Sequence, residues 1–525
     1  LGVRLEVRDL LEARTVAALA SRLQAGPAGA GDGPVPEPGP PEPSASQRRL
    51  WFVQQIAPGT VAYNVAIGVR LRGRLEAVSL AGALTGVVRR HDVLRSRFPS
   101  SDGEPGLELL EPWTVDLPPV PIPAGEAAAA LERFAAQPFD LALGPLFRAR
   151  LLRLGEDDHV LALAMHHSVS DGWSLGVLLR EVSRLYAAHL AGAPPPLPAL
   201  PLQFTDFAAW QRRRLSGAAL DRLLEGWRRR LSGAPAALEL PADRARPAIA
   251  SYRGERRWLR VPPELAGGVE RLGRRLGATM FATLLAAFEV LLGRLSGGDD
   301  LVVGTPVAGR DHPDLEHLVG CFVNMLPLRV RLAGDPAFTQ LVARVREAML
   351  DALDRPDVPI ELLVDRLHVE RDLGRSPLFQ VVFNMYSFET PLLELPGVEA
   401  ETLDEPTPGS QVDLTVYVRG DGPGLRVDAV YNPDLFDSAR VDEMLRQYLH
   451  LLAQVVEAPE RPISRLSLVT EHARSELPDP RAPLRAGPLP TLLERLRRHV
   501  AAAPDRVAVA GPDRALGYGE LDRAT

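Results

Sequence analysis

Residues 25–43, AGPAGAGDGPVPEPGPPEP, hold almost nothing but Ala, Gly, Pro and acids. Such a stretch has no side chains with which to bury a core, and its prolines keep it extended, so it reads as a tether. A second stretch of the same kind, ELPDPRAPLRAGPLP, follows residue 470. The two divide a chain of 525 residues into a short head (1–24), a long middle (44–470) and, beyond a linker at 471–488, a short tail (489–525). The middle exceeds one ordinary core. It is therefore expected as two lobes, 44–215 and 216–470, joined near the helix-like segment RLLEGWRRRLSGAP.

Inside the first lobe, Val65, Ile67, Val69 and Leu71 alternate in YNVAIGVRLRG, which predicts a half-buried strand. Two apolar strands are expected at LFRARLLRL and DHVLALAMHH. After Asp171 the period becomes helical, with Leu175, Leu178, Leu179, Val182 and Leu185 on one face. The second lobe repeats the theme, with strands at 254–261, DLVVGTPV, FVNMLPLRVRL, FQVVFNMYS and DLTVYVRG. Helices are expected near 263–275, 278–295, 336–353 and 437–456. Interleaved in this way, the elements predict an α+β fold twice over.

Composition removes whole classes of chemistry. Net charge is −7 with no basic stripe, which argues against nucleic acid as a partner. No apolar run approaches the roughly 20 residues of a membrane helix, so no membrane partner is expected. A single cysteine, Cys321, excludes a disulfide framework and fits a reducing cytoplasm. All 60 basic residues are arginine, as a GC-rich bacterial coding sequence would give. Without lysine there is no Schiff-base, pyridoxal-phosphate or P-loop chemistry.

MHHSVSDGWS, residues 165–174, carries the strongest chemical signal. Neighbours on a strand face opposite ways, so His167 is expected to share a face with Met165 and Leu163, and His166 with Ala164 and Ala162. Adjacent strand residues chelate one ion poorly and no third ligand follows at metal spacing, so no metal is expected. Asp171 suits a helix N-cap, and Gly172 suits a tight turn or the close approach of a ligand. Catalytic groups collect at such strand ends, and so do structural histidines. On chemistry alone both readings stand.

The pattern His166-His167-x-x-x-Asp171-Gly172 resembles the signature of the condensation domains of nonribosomal peptide synthetases. More loosely it is similar to the chloramphenicol-acetyltransferase-like acyltransferases. Further stretches follow that family's order: SASQRRLWFVQQ (44–55), RHDVLRSRF (90–98), FTDFAAWQ (204–211), VGCFVNMLPLR (319–329), DVPIELLVDRL (357–367) and RDLGRSPLFQ (371–380). Departures are Ser46 for Ala, Phe204 and Phe207 for Tyr, Met325 for Thr, Ile360 for Phe and Ser376 for Asn. The likeness spans about 44–468, and its motifs look like those of domains whose donor ends in an L-residue.

The resemblance implies two acetyltransferase-like lobes in a V-shaped pseudo-dimer, with the active site in the cleft. It implies transfer of an acyl or peptidyl thioester from an upstream carrier domain to the amine of an aminoacyl thioester on a downstream one. The phosphopantetheine arms belong to those carriers, not to this chain. By the family's pattern His167 is the catalytic imidazole and His166 supports the fold. Asp171 looks structural and paired with an arginine, expected as Arg95 from among Arg90, Arg95 and Arg97. Gly172 would let a pantetheine arm pass, while Asn324 and Ser174 are candidate polar groups on the acceptor or cleft side. Residues 1–24 resemble the end of a peptidyl carrier domain, and LGYGELDRAT the first core motif of an adenylation domain in the same chain. Two alternatives are a coenzyme A-dependent acyltransferase of this fold and a catalytically silent carrier-docking module.

Overall fold

The computed structural model describes residues 13, 15–23, 33–36, 39–369, 372–386, 393–404, 406–407, 409–478, 491–511 and 514–524. Most of the expected carrier end and much of both linkers lie outside the described residues; in the head, Val16–Leu23 form a helix.

From residue 45 the elements alternate. The first part contains α1 (Ala45–Ile56), β1 (Asn64–Gly73), α2 (Ala77–Arg90), β2 (Pro119–Pro121), α3 (Ala127–Ala135), β3 (Phe147–Arg153), β4 (Asp158–His166), α4 (Gly172–Ala191) and α5 (Phe204–Arg214). The second begins with α6 (Gly217–Leu231), β5 (Glu255–Val261), α7 (Pro263–Leu276), α8 (Met280–Ser296), β6 (Asp300–Val307) and β7 (Asn324–Arg331). It continues with α9 (Phe338–Leu353), α10 (Ile360–Arg366), β8 (Val381–Met385), β9 (Val398–Thr402), β10 (Leu414–Asp421), β11 (Gly424–Tyr431) and α11 (Ser438–Glu457). Among the described residues no single helix is long and apolar enough to cross a membrane.

Two sheets organise these elements, in the orders β9-β1-β4-β3-β2 and β7-β6-β8-β10-β11-β5. β4 lies inside the first sheet and is buried at every position after Asp158. A strand covered on both faces reads as a continuous apolar run, which is what VLALAM is. Its antiparallel register with β1 pairs Asn64 with His166, so the histidines fall where the ladder ends. In the second sheet β6, β8 and β10 run parallel. Open sheets take ligands beyond the carboxyl ends of such strands.

Each sheet has its own apolar core. Phe204 and Phe207 of α5 belong to the first, whereas Leu215 and Trp227 belong to the second. A single cut at 215/216 nevertheless misplaces two segments, and the division into 44–215 and 216–470 has to be corrected for them. The loop between β6 and β7 sends Leu315, Leu318, Val319, Cys321 and Phe322 into the first core. β9 pairs with β1, Val69 opposite Thr402, and so completes the first sheet from the far part of the chain. Its VEAET is mostly exposed and lacks the apolar alternation that would announce a strand. β11 was also unexpected; it forms a hairpin with β10.

Residues Glu471–Thr525 form a separate compact unit. It contains a helix, Leu492–Ala502, opened by a Thr491–Glu494 capping box, and an antiparallel pair of strands, Val507–Ala510 and Ala515–Gly517.

Candidate active site

The local fold of MHHSVSDGWS follows from its hydrogen bonds. The His167 N–H donates to the Tyr63 carbonyl (2.8 Å), one step beyond the β1–β4 register. A turn at 167–170 then leads to Asp171, the N-cap of α4, whose carboxylate accepts the Ser174 N–H at 2.8 Å. Gln47 of α1 holds this turn from outside: its amide donates to the Ser168 carbonyl (2.9 Å) and accepts the Ser44 N–H (2.9 Å). The opening motif SASQ thus supports the loop that carries His167.

The two imidazoles part company at the strand end. His166 is 1% exposed, its Nδ1 accepts the Ser168 N–H (3.2 Å), and the rings of Phe139 and Tyr63 flank it. An accepting Nδ1 leaves the ring proton on Nε2. Burial, and then the neighbouring His167, push the pKa of His166 down to about 3. This ring is neutral and sealed. His167 is partly exposed and lines a cavity of about 780 Å³. Its Nδ1 lies 3.8 Å from the Cys321 sulfur. Burial lowers its pKa below the ordinary 6.5, the Asp171 carboxylate opposes that shift, and Arg49 adds to it. A neutral imidazole therefore faces the cavity at pH 7. Cys321 is buried, and desolvation followed by the Asp171 charge raises its thiol far above the usual range.

Asp171 is buried, and its partner is Arg310 rather than Arg95. Arg310 Nη2 donates to Oδ1 at 3.2 Å, with both side chains only 2% exposed, and the Phe322 N–H donates to Oδ2 at 3.0 Å. Arg310 Nη1 spans the Leu315 and Leu318 carbonyls (2.5 and 2.7 Å), and the guanidinium sits 4.0 Å from the Phe322 ring centroid. Arg95 ends a short 3₁₀ turn, where it meets Asp92 three residues back and the Leu110 carbonyl (2.8 Å). It is engaged there with its own neighbours, not with Asp171. The arginine comes from the second half of the chain, just after the β6 strand. Gly309, before it, has φ +63°, and a Cβ there would come within 2.1 Å of the Phe322 carbonyl oxygen.

Two further expectations change. Ser174 is fully buried, not on the cleft side. Its Oγ lies 2.7 Å from Asp171 Oδ1 and 2.9 Å from the Gly320 carbonyl, and accepts from the Gly320 N–H (3.0 Å) and Arg310 (2.9 Å). Asn324 spends its amide on backbone rather than on the cavity: it donates to the Pro356 and Val358 carbonyls (2.8 and 2.7 Å) and accepts the Ile360 N–H (3.1 Å). It is a clamp that fixes the start of α10. Gly172, by contrast, is exposed on the cavity wall.

The cavity draws on both lobes: Arg49, Tyr63 and His167 from the first, Met325, Glu361 and Tyr417 from the second. Val307, Asn384 and Tyr386, at the carboxyl ends of β6 and β8, also face it. Among the described residues no cluster of three or more His, Cys, Asp or Glu is placed to hold a metal ion.

Residues 42–477 match the family described as condensation domain. The chain is 40% identical over 514 residues to phosphinothricin tripeptide synthetase PhsC of Streptomyces viridochromogenes, covering 94% of this chain and 46% of that protein. It is 36% identical over 541 residues to one of the linear gramicidin synthase proteins of Brevibacillus parabrevis, covering 99% of this chain and 7% of that protein. The chain thus spans less than half the length of either relative. Among solved structures it is similar to the X-domain from teicoplanin biosynthesis, with 31% identity, a TM-score of 0.78, and coverage of 83% of this chain and 99% of that one.

Proposed function

The chain belongs to the condensation-domain family, and from that premise we propose that its cavity joins a thioester-bound acyl or peptidyl donor to the amine of an aminoacyl thioester. Both partners would arrive on the phosphopantetheine arms of carrier domains, one upstream and one downstream, with an adenylation domain following in the same synthetase. The observation that carries this reading is the contrast within one motif. His166 is sealed by protein partners and the Asp171 carboxylate is spent on Arg310 and backbone N–H groups, while His167 opens a neutral ring onto a cavity walled by both lobes.

The chemistry asks little of a base. An α-amino group has a pKa of about 7.7–8.0, so an appreciable fraction is already neutral near pH 7. As the amine attacks the thioester carbon, the C–N bond forms and nitrogen gains positive charge. The His167 imidazole accepts that proton. Collapse of the tetrahedral intermediate breaks the C–S bond, and the proton passes to the departing sulfur. Help of this kind is worth about 10²–10⁴-fold. Holding two arms in register is worth roughly 7–11 kcal/mol of barrier, so positioning is the larger share.

The test is a His167→Ala protein supplied with both loaded carrier domains. Peptide formation should fall by about 10²–10⁴-fold with the thermal unfolding profile unchanged. A wild-type rate would remove His167 from the reaction. Equal use of free acyl-coenzyme A thioesters would favour the coenzyme A-dependent reading instead.

A further inference from the structure

Beside His167 the cavity wall carries a charge pair that the proposed reaction does not use. Arg49 projects from α1 in the first lobe and Glu361 from α10 in the second. Arg49 Nε lies 2.6 Å from Glu361 Oε1, with the side chains 36% and 16% exposed, and both residues line the cavity. The Arg49 guanidinium stands 5.9 Å from the ring centroid of Tyr63, whose carbonyl takes the His167 N–H. Glu361 Oε2 is buried and accepts no hydrogen bond among the described residues, so the pair is not a saturated structural bridge.

What each helix is tied to makes this pair informative. α1 is anchored to the His167 turn through Gln47 and the Ser168 carbonyl (2.9 Å). It is also anchored to the first lobe through Trp51, whose Nε1 donates to the Phe98 carbonyl (3.2 Å). α10 is anchored to the second sheet through Asn324, which accepts the Ile360 N–H (3.1 Å). All three supports are buried or partly buried. A change in the Arg49–Glu361 spacing therefore shifts one lobe against the other rather than a single side chain. A largely buried ion pair is offset by the cost of desolvating its charges and is weak evidence for stability. Its effect lies in placement.

We propose that Arg49 and Glu361 form an inter-lobe latch that sets the width of the cavity at His167, making both of them positioning residues for the condensation reaction. The proposal rests on the assignment of His167 above. The groups acting on that imidazole are Asp171 from the α4 cap, Arg49 from α1, Cys321 from the β6–β7 loop, and its chain neighbour His166; Glu361 of α10 reaches it through Arg49, and Arg310 through Asp171. Of the cations among them, Arg49 bears on its protonation.

Three variants test the latch: Arg49→Glu, Glu361→Arg and the double exchange. Each single change should lower kcat/KM for condensation by roughly 10- to 100-fold through misplacement, and the double exchange should recover most of the loss. In Arg49→Glu the acid limb of the pH profile should also move to higher pH, which a purely structural role would not cause. Spin labels at Val78 and Val469, exposed sites in the first and second lobes, give a readout independent of activity. The inter-lobe distance distribution should broaden in the single variants and narrow again in the exchange. Single variants with wild-type kcat/KM and wild-type distances overturn the latch, as does an exchange no better than the poorer single variant. If the wild-type protein makes no peptide, the functional assignment fails by itself, and the distance measurement still decides the latch.

Discussion

At the scale of single residues, two adjacent histidines differ because one ring has a cavity beside it and the other has Ser168, Phe139 and Tyr63. His167 can take a proton from the amine only while neutral, and its pKa lies below 6.5. Condensation should therefore fall as pH drops through a value under 6.5, and the residual rate of His167→Ala should lack that limb; a pH–rate profile checks both. His166 has a different signature. Its pKa is about 3 in the folded protein against 6.5 for a free imidazole, so below pH 6.5 the unfolded chain binds a proton that the folded chain refuses. The stability it supports is full above pH 6.5 and is lost progressively from there down to about pH 3. Urea midpoints between pH 7 and pH 5 should fall less steeply in His166→Asn than in the parent. The sequence revealed both rings and their opposite facing. It did not reveal which face was open, because β4 is covered on both sides and its apolar run has no polar face to compare.

At the scale of elements, the helix start at Asp171 is a junction rather than a cap alone. Its carboxylate closes α4 and takes Arg310 and the Phe322 N–H from the β6–β7 loop. Removing one partner of a buried pair leaves a charge uncompensated and costs about 3–5 kcal/mol. Asp171→Asn and Arg310→Met should each destabilise by that order in urea titration. The combined variant should lose less than the sum, because both charges then go together. Ser174→Ala should cost about 1–3 kcal/mol, since it leaves buried donors unmatched. The capping role was legible, since Asp before a helical period is a standard start signal. Its arginine was not. Arg310 lies 139 residues from Asp171 in the chain, and no local pattern ranks one arginine above another across that distance.

At the scale of the whole molecule, the later part of the chain completes the first lobe. β9 completes the first sheet, and Leu315, Leu318 and Phe322 complete the first core, all from beyond residue 216. A fragment of residues 44–215 should therefore fail to unfold cooperatively by circular dichroism. Mixing it with residues 216–470 should restore a cooperative transition; a first fragment that folds alone would contradict this dependence. The sequence by itself determined the α+β alternation, the strand and helix at the histidine motif, and the family through the order of its motifs. These are matters of local composition and of a period read over ten to twenty residues. Tertiary structure alone decided which histidine meets the cavity, that Arg310 holds Asp171, that Ser174 and Asn324 are spent on protein partners away from the cavity, and that the lobes share a strand. Each of those depends on a contact between segments far apart in the chain. Such a contact is selected by shape and by the need to satisfy buried charge, and neither leaves a periodic trace in the amino-acid order.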